Sequence, residues 1–187
     1  MTLRSGFRSL RRNNRRSCTP YEAILGEAFE SLHAHVRRAH LPPLCAEGTI
    51  DVEHGQGWLA RPLIWLMKLP AAGPRQPVRL DVAGDGSELV WTRRIGGSIL
   101  RTRQYAAGSR LVERSGFGRV SFNLAAEDGA LRYLQSSIHV AGLRVPWSLS
   151  PRVGAVVSAT LEGWRVVVTV EWRGQILCRY AGAIRAL

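Results

Sequence analysis

The stretch Trp164-Arg-Val-Val-Val-Thr-Val-Glu-Trp172 alternates except at Val167. Trp164, Val166, Val168, Val170 and Trp172 fall on one face of an extended chain, and Arg165, Thr169 and Glu171 on the other. Side chains of a strand alternate across the sheet, so period two with one apolar face means a half-buried β-strand. Val120, Phe122 and Leu124 form a second such row. Turn signals punctuate the chain from residue 76 onward, at Gly84-Asp85-Gly86, Gly96-Gly97, Gly108-Ser109, Gly116, Asp128-Gly129, Glu162-Gly163 and Arg173-Gly174. Their spacing of roughly ten residues is that of an antiparallel meander. The span 142–151, with Pro146 and Pro151, reads as the long loop of this region.

Upstream the periodicity changes. Thr19-Pro20-Tyr21-Glu22 has the form of a capping box with proline at the first helical position. Leu25, Ala28, Phe29, Leu32 and Val36 follow at helical spacing, and Leu41-Pro42-Pro43 ends the run. A strand is expected over 46–54, where Ile50 and Val52 alternate with Thr49, Asp51 and Glu53. Residues 58–69, WLARPLIWLMKL, are apolar nearly all round except Arg61 and Lys68, too short to span a bilayer. The expected fold is α+β: a long N-terminal helix and a curved, half-barrel-like antiparallel sheet of about eight or nine strands, with 58–69 as a short apolar helix over the sheet. At 187 residues the chain suits one domain, expected over 20–187.

The net charge of +12 is unevenly placed. Six arginines and no acid stand in residues 1–19, which read as a disordered tail; a presequence or an electrostatic arm for lipid or nucleic acid are the other readings. The remainder carries a milder excess. Lys68 is the only lysine, and a phosphate-binding surface would recruit lysine as well as arginine, so the charge points to a GC-rich coding bias, not to nucleic acid. Cys18, Cys45 and Cys178 are odd in number and far apart, which fits a reducing cytoplasm and no metal centre.

Catalytic patterns are absent from the sequence: there is no G-x-S-x-G elbow, phosphate loop, dinucleotide fingerprint or H-E-x-x-H, and no cofactor is implied. Asp51 and Glu53 share a strand face and could work as an acid–base pair, although a solvated face is the commoner arrangement. Arg101, Arg103 and Tyr105 also share a face. Pointing inward they would grip an anionic head group; pointing outward they are ordinary solvated side chains. Trp58, Arg61 and Trp65 belong to the apolar segment, which reads as a buried plug or as a lid that meets a membrane surface.

The stretches LGEAFESL (25–32), GTIDVEHGQGWLARPLIWLMKLPAAG (48–73), WTRRIGG (91–97), LVERSGFGRVSFNL (111–124) and RYAGAI (179–184) resemble the bacterial family of domain of unknown function 4166. Members also occur appended to saccharopine-dehydrogenase-like oxidoreductases, so the resemblance implies a companion domain and assigns no residue roles. Three functions are expected in order: a non-catalytic module binding an apolar or amphipathic small molecule or lipid; an interaction domain partnering such an oxidoreductase; and a half-barrel isomerase or cyclase using Asp51, Glu53 or Tyr105. Oligomeric state is not legible.

Overall fold

A computed structural model of the chain describes residues 18–56, 60–66, 69–116 and 118–187. Two short helices, α1 (Pro20–Leu25) and α2 (Ala34–Ala39), flank a 3₁₀ turn at Gly26–Phe29. Strand β1 (Leu44–His54) is followed by α3 (Ala60–Leu66). Then come β2 (Gly73–Gly84), β3 (Glu88–Ile95), β4 (Ser98–Ala107), β5 (Arg110–Ser115), β6 (Gly118–Glu127) and β7 (Ala130–Val140). The chain closes with β8 (Leu143–Arg144), β9 (Arg152–Ala159), β10 (Trp164–Trp172) and β11 (Gln175–Ala186).

The half-barrel expectation is wrong: the sheet closes. Ten antiparallel strands run in order from β6 back to β1, on through β11, β10 and β9 to β7, and β7 pairs again with β6. β8 is an eleventh strand, appended to the end of β7. The seam joins the first and last strands, β1 to β11, from Ala46↔Ala186 to His54↔Cys178. Glycine is required there. A Cβ at Gly182 would lie 2.0 Å from the Thr49 carbonyl oxygen, and one at Gly48 2.1 Å from that of Ala183. Closure gives each of the ten barrel strands a partner on both sides, so the sheet needs no helical layer along its wall.

The single long N-terminal helix is also corrected. Gly26 leaves the helical region at φ +55°, and the chain bends through the 3₁₀ turn before restarting at α2. The His33 ring accepts from the His35 amide to cap α2, while the His33 amide donates to the Gly129 carbonyl in the β6–β7 turn at 2.9 Å. These broken helices plug one mouth of the barrel, with α1 against β4, β5 and β6 and α2 against β9 and β10. The capping box forms: the Glu22 amide donates to Thr19 Oγ1 at 3.3 Å and the Thr19 amide to the Glu22 carboxylate at 2.7 Å. Thr19→Ala should cost about 1 kcal/mol, visible as a fall of roughly 2–4 °C in the thermal midpoint.

The mouths differ in character. Turns at the plugged mouth carry Asp85, Glu127, Asp128 and Glu162; around the opposite one stand Arg114, Arg144, Arg152 and Arg173. Charged residues such as Glu47, Asp51, Glu53, Arg79 and Arg103 occupy the outward registers, which is not the apolar band of a lipid-facing barrel. No helix among the described residues is long and apolar enough to cross a membrane.

Candidate functional site: the barrel lumen

Inward registers bring together Leu89, Trp91, Arg93 and Ile95 of β3, Thr102 and Gln104 of β4, and Leu111 and Glu113 of β5. Apolar side chains from the other strands complete a core with Tyr21 and Val36 of the plug. The large, fully buried side chains Tyr21, Leu89, Leu111, Leu131 and His40 gather at the plugged mouth. Other wall residues, Val120, Leu124, Val153, Ala155 and Tyr180, are only partly buried although they face inward. Arg93 and Glu113 each keep about a fifth of their side-chain surface accessible, 20% and 19%. The plug therefore fills one part of the lumen and leaves accessible surface elsewhere. Eight strands enclose just enough room for side chains or one small ligand, and ten enclose more.

A connected polar network crosses this apolar interior. Arg93 Nη1 donates to Glu113 Oε1 at 2.8 Å and to Thr102 Oγ1 at 2.9 Å. Gln104 Nε2 donates to Glu113 Oε2 at 3.0 Å, and the Tyr21 hydroxyl donates to the Gln104 carbonyl oxygen. His40 Nδ1 lies 2.7 Å from the Val36 carbonyl, so it carries the proton, and Nε2 accepts from the Tyr133 hydroxyl at 2.7 Å. The Tyr133 and Tyr21 hydroxyls are 3.2 Å apart.

Each ionisable group shifts for a nameable reason. Burial pushes Glu113 up, but the Arg93 guanidinium and hydrogen bonds from Thr102, Arg93 and Gln104 outweigh it and hold the carboxyl below its ordinary value. Burial likewise disfavours charge on Arg93, and Glu113 reverses that so its pKa rises. Desolvation lowers His40 to about 4, helped by Arg93 and opposed by the Val36 carbonyl. Desolvation pushes Tyr180 up to about 12. The Arg93 guanidinium lies 5.0 Å from the Trp91 ring centroid, and Trp91 Nε1 is buried without a hydrogen-bond partner. Chemically this is an apolar chamber with a few fixed donors and one internally neutralised charge pair.

The residues singled out in the sequence lie elsewhere. Asp51 and Glu53 are exposed on the outer wall, Asp51 accepting the Arg75 amide at 2.8 Å, so the enzyme reading loses its acid–base pair. Arg101, Arg103 and Tyr105 face outward, because Thr102 and Gln104 take the inward register of β4. Arg103 pairs with Glu88 at 2.9 Å. Arg61 and Trp65 are exposed on α3, Trp65 at 81%, while Ile64 packs toward the core. Trp58 lies outside the described residues. Sequence reasoning missed Arg93 and Glu113, although the signal was present: Arg93 stands in register with Trp91 and Ile95, a charge on an apolar strand face.

A surface groove of about 840 Å³ lies outside the barrel between the seam and the β9–β10 turn. Of its lining charges, Arg185 pairs with Glu47 at 3.1 Å, and Arg79 and Arg94 share Asp81 beside the groove.

No curated protein and no solved structure matches the chain. The sequence pattern of one family does, over residues 32–184, from the last turn of the plug nearly to the end of β11. That match takes in every strand of the barrel, and the chain belongs to the family described as Domain of unknown function (DUF4166).

Proposed function

We propose that the domain is a binding module whose lumen takes up an amphipathic small molecule of mainly apolar character. The observation that carries this reading is the lining: Arg93, Glu113 and Tyr180 face inward among apolar side chains and keep part of their surface accessible. Small-molecule sites are concave and largely apolar, with a few convergent polar groups to fix orientation. Arg93 is neutralised by Glu113, so the ligand's polar part is an uncharged donor or acceptor rather than an acid.

Nile red, an uncharged dye that brightens in apolar surroundings, is a suitable probe in vesicle-free buffer. Saturable binding near one dye per chain is expected. Ala155 lies on the inward register between Tyr133 and Val168. Ala155→Trp should fill the space and weaken binding on the order of tenfold or more while circular dichroism remains that of a β-barrel. Absence of saturable binding, or full binding by a folded Ala155→Trp chain, sinks the reading.

A further inference from the structure

Five basic side chains stand in direct cross-strand register on the outer wall. Arg103 of β4 opposes Arg114 of β5, Arg114 opposes Arg119 of β6, Arg119 opposes His139 of β7, and His139 opposes Arg144 of β8. Strands are about 4.8 Å apart, so the row spans roughly 19 Å. Like charges directly opposite one another, as Arg103 with Arg114 and Arg114 with Arg119, destabilise a sheet and persist only at a cost. Arg103 is answered by Glu88, but among the described residues no carboxylate pairs with Arg114, Arg119 or Arg144. His139 registers the uncompensated field: desolvation, then Arg119 and Arg144, lower its pKa, and its Nδ1 is buried without a partner.

From β5 to β8 the row lies directly behind the mouth opposite the plug. Arg114 and Arg119 flank the β5–β6 turn, and His139 and Arg144 bracket the β7–β8 hairpin. Beyond them, where Ala141 and Gly142 turn with φ of +50° and +84°, Val140 and Leu143 project past the rim at 51% and 76% exposure. Trp147 and Leu149 follow in the loop to β9, both more than half exposed, and Trp65 of α3 is at the same mouth. Exposed apolar tips backed by unpaired arginines fit a phosphate-bearing interface: the tips enter the acyl boundary and the guanidiniums meet phosphates. A nucleic acid would use the arginine row and leave the apolar tips in water.

We propose that the mouth opposite the plug docks on an anionic bilayer surface, with Arg114, Arg119 and Arg144 at the phosphates and Val140, Leu143 and Trp147 in the interfacial zone. The docked face is the end of the barrel away from the plug, but docking does not depend on the lumen holding a ligand. The dye experiment above contains no vesicles, so either result can fail alone.

Co-sedimentation of the full chain with vesicles of phosphatidylcholine, with and without phosphatidylglycerol, tests the proposal. The wild type should bind the anionic vesicles preferentially, with affinity falling as salt rises. Arg114→Glu/Arg119→Glu/Arg144→Glu should weaken that binding on the order of a hundredfold. Leu143→Ser/Trp147→Ser should weaken it about tenfold and leave the salt dependence in place. Equal binding to both vesicle types overturns the proposal. So does full binding by the folded triple variant, which would assign the attraction to the Arg-rich residues 1–19. Duplex DNA bound as tightly as vesicles, with no effect of the serine pair on either, would make the row a site for polyanions in solution and also overturn it.

Discussion

Lowering the pH from near neutral to about 4 should remove about 3 kcal/mol of stability through His40 alone. The ring is buried to 1% exposure between α2 and the lumen, with Tyr21, Trp91 and Tyr133 around it and Arg93 the nearest cation. Its proton sits on Nδ1 toward the Val36 carbonyl, and a second proton would place charge in an apolar chamber already holding Arg93. Above its ordinary value of 6.5 the ring is neutral in both folded and unfolded chains, and His40 gives no pH dependence. Below it the unfolded chain takes up a proton while the folded one does not until about 4, so stability falls as pH falls across that window and His40 adds nothing further below it. Glu113, held below its ordinary value by Arg93, acts in the same direction at lower pH, so the two limbs separate. Urea denaturation at several pH values reads this. His40→Gln should flatten the limb between 6.5 and 4. A flat wild-type profile would mean that the folded ring keeps both protons, donating to Val36 and to Tyr133 together.

The difference between what was and was not legible follows from range. The alternation of Trp164 to Trp172 is local, so β10 was readable to the residue, as was the capping box that starts α1. Closure is not local. The partner of Ile50 is Gly182, far away in the chain, and nothing near either residue announces it. The helix was over-read because Leu25, Phe29, Leu32 and Val36 keep helical spacing through the bend, and all pack on one core; Gly26 was the signal to stop. Register also decided the candidate site. Whether Arg101, Arg103 and Tyr105 or Thr102 and Gln104 face the lumen is a one-residue question, and only the closed barrel answers it. The outer basic row is a property of five strands aligned and is invisible along any one of them.

Arg93→Met should cost about 3–5 kcal/mol, a loss of roughly 10 °C in the thermal midpoint, because it strands the Glu113 carboxylate in the lumen. The variant keeps most of the side-chain volume, so the penalty is electrostatic and not a cavity effect. Gln104 and Thr102 remain as donors, but neither carries charge. Arg93→Met/Glu113→Leu should recover much of the loss, since two matched apolar side chains replace two matched charges; the residual cost is the Gln104 amide, left without its acceptor. If the double variant is as unstable as the sum of the two single ones, the charges are not coupled and the account of the network fails. The pH dependence supplies a second check of opposite sign to that of His40. Without Arg93, burial is opposed only by the hydrogen bonds from Thr102 and Gln104, and it raises the Glu113 pKa above that of the unfolded chain. The folded variant then binds the proton more readily as pH falls, and its deficit relative to the wild type should shrink through the carboxylate range. A deficit that stays constant with pH would place the damage in packing around Trp91, not in the unpaired charge.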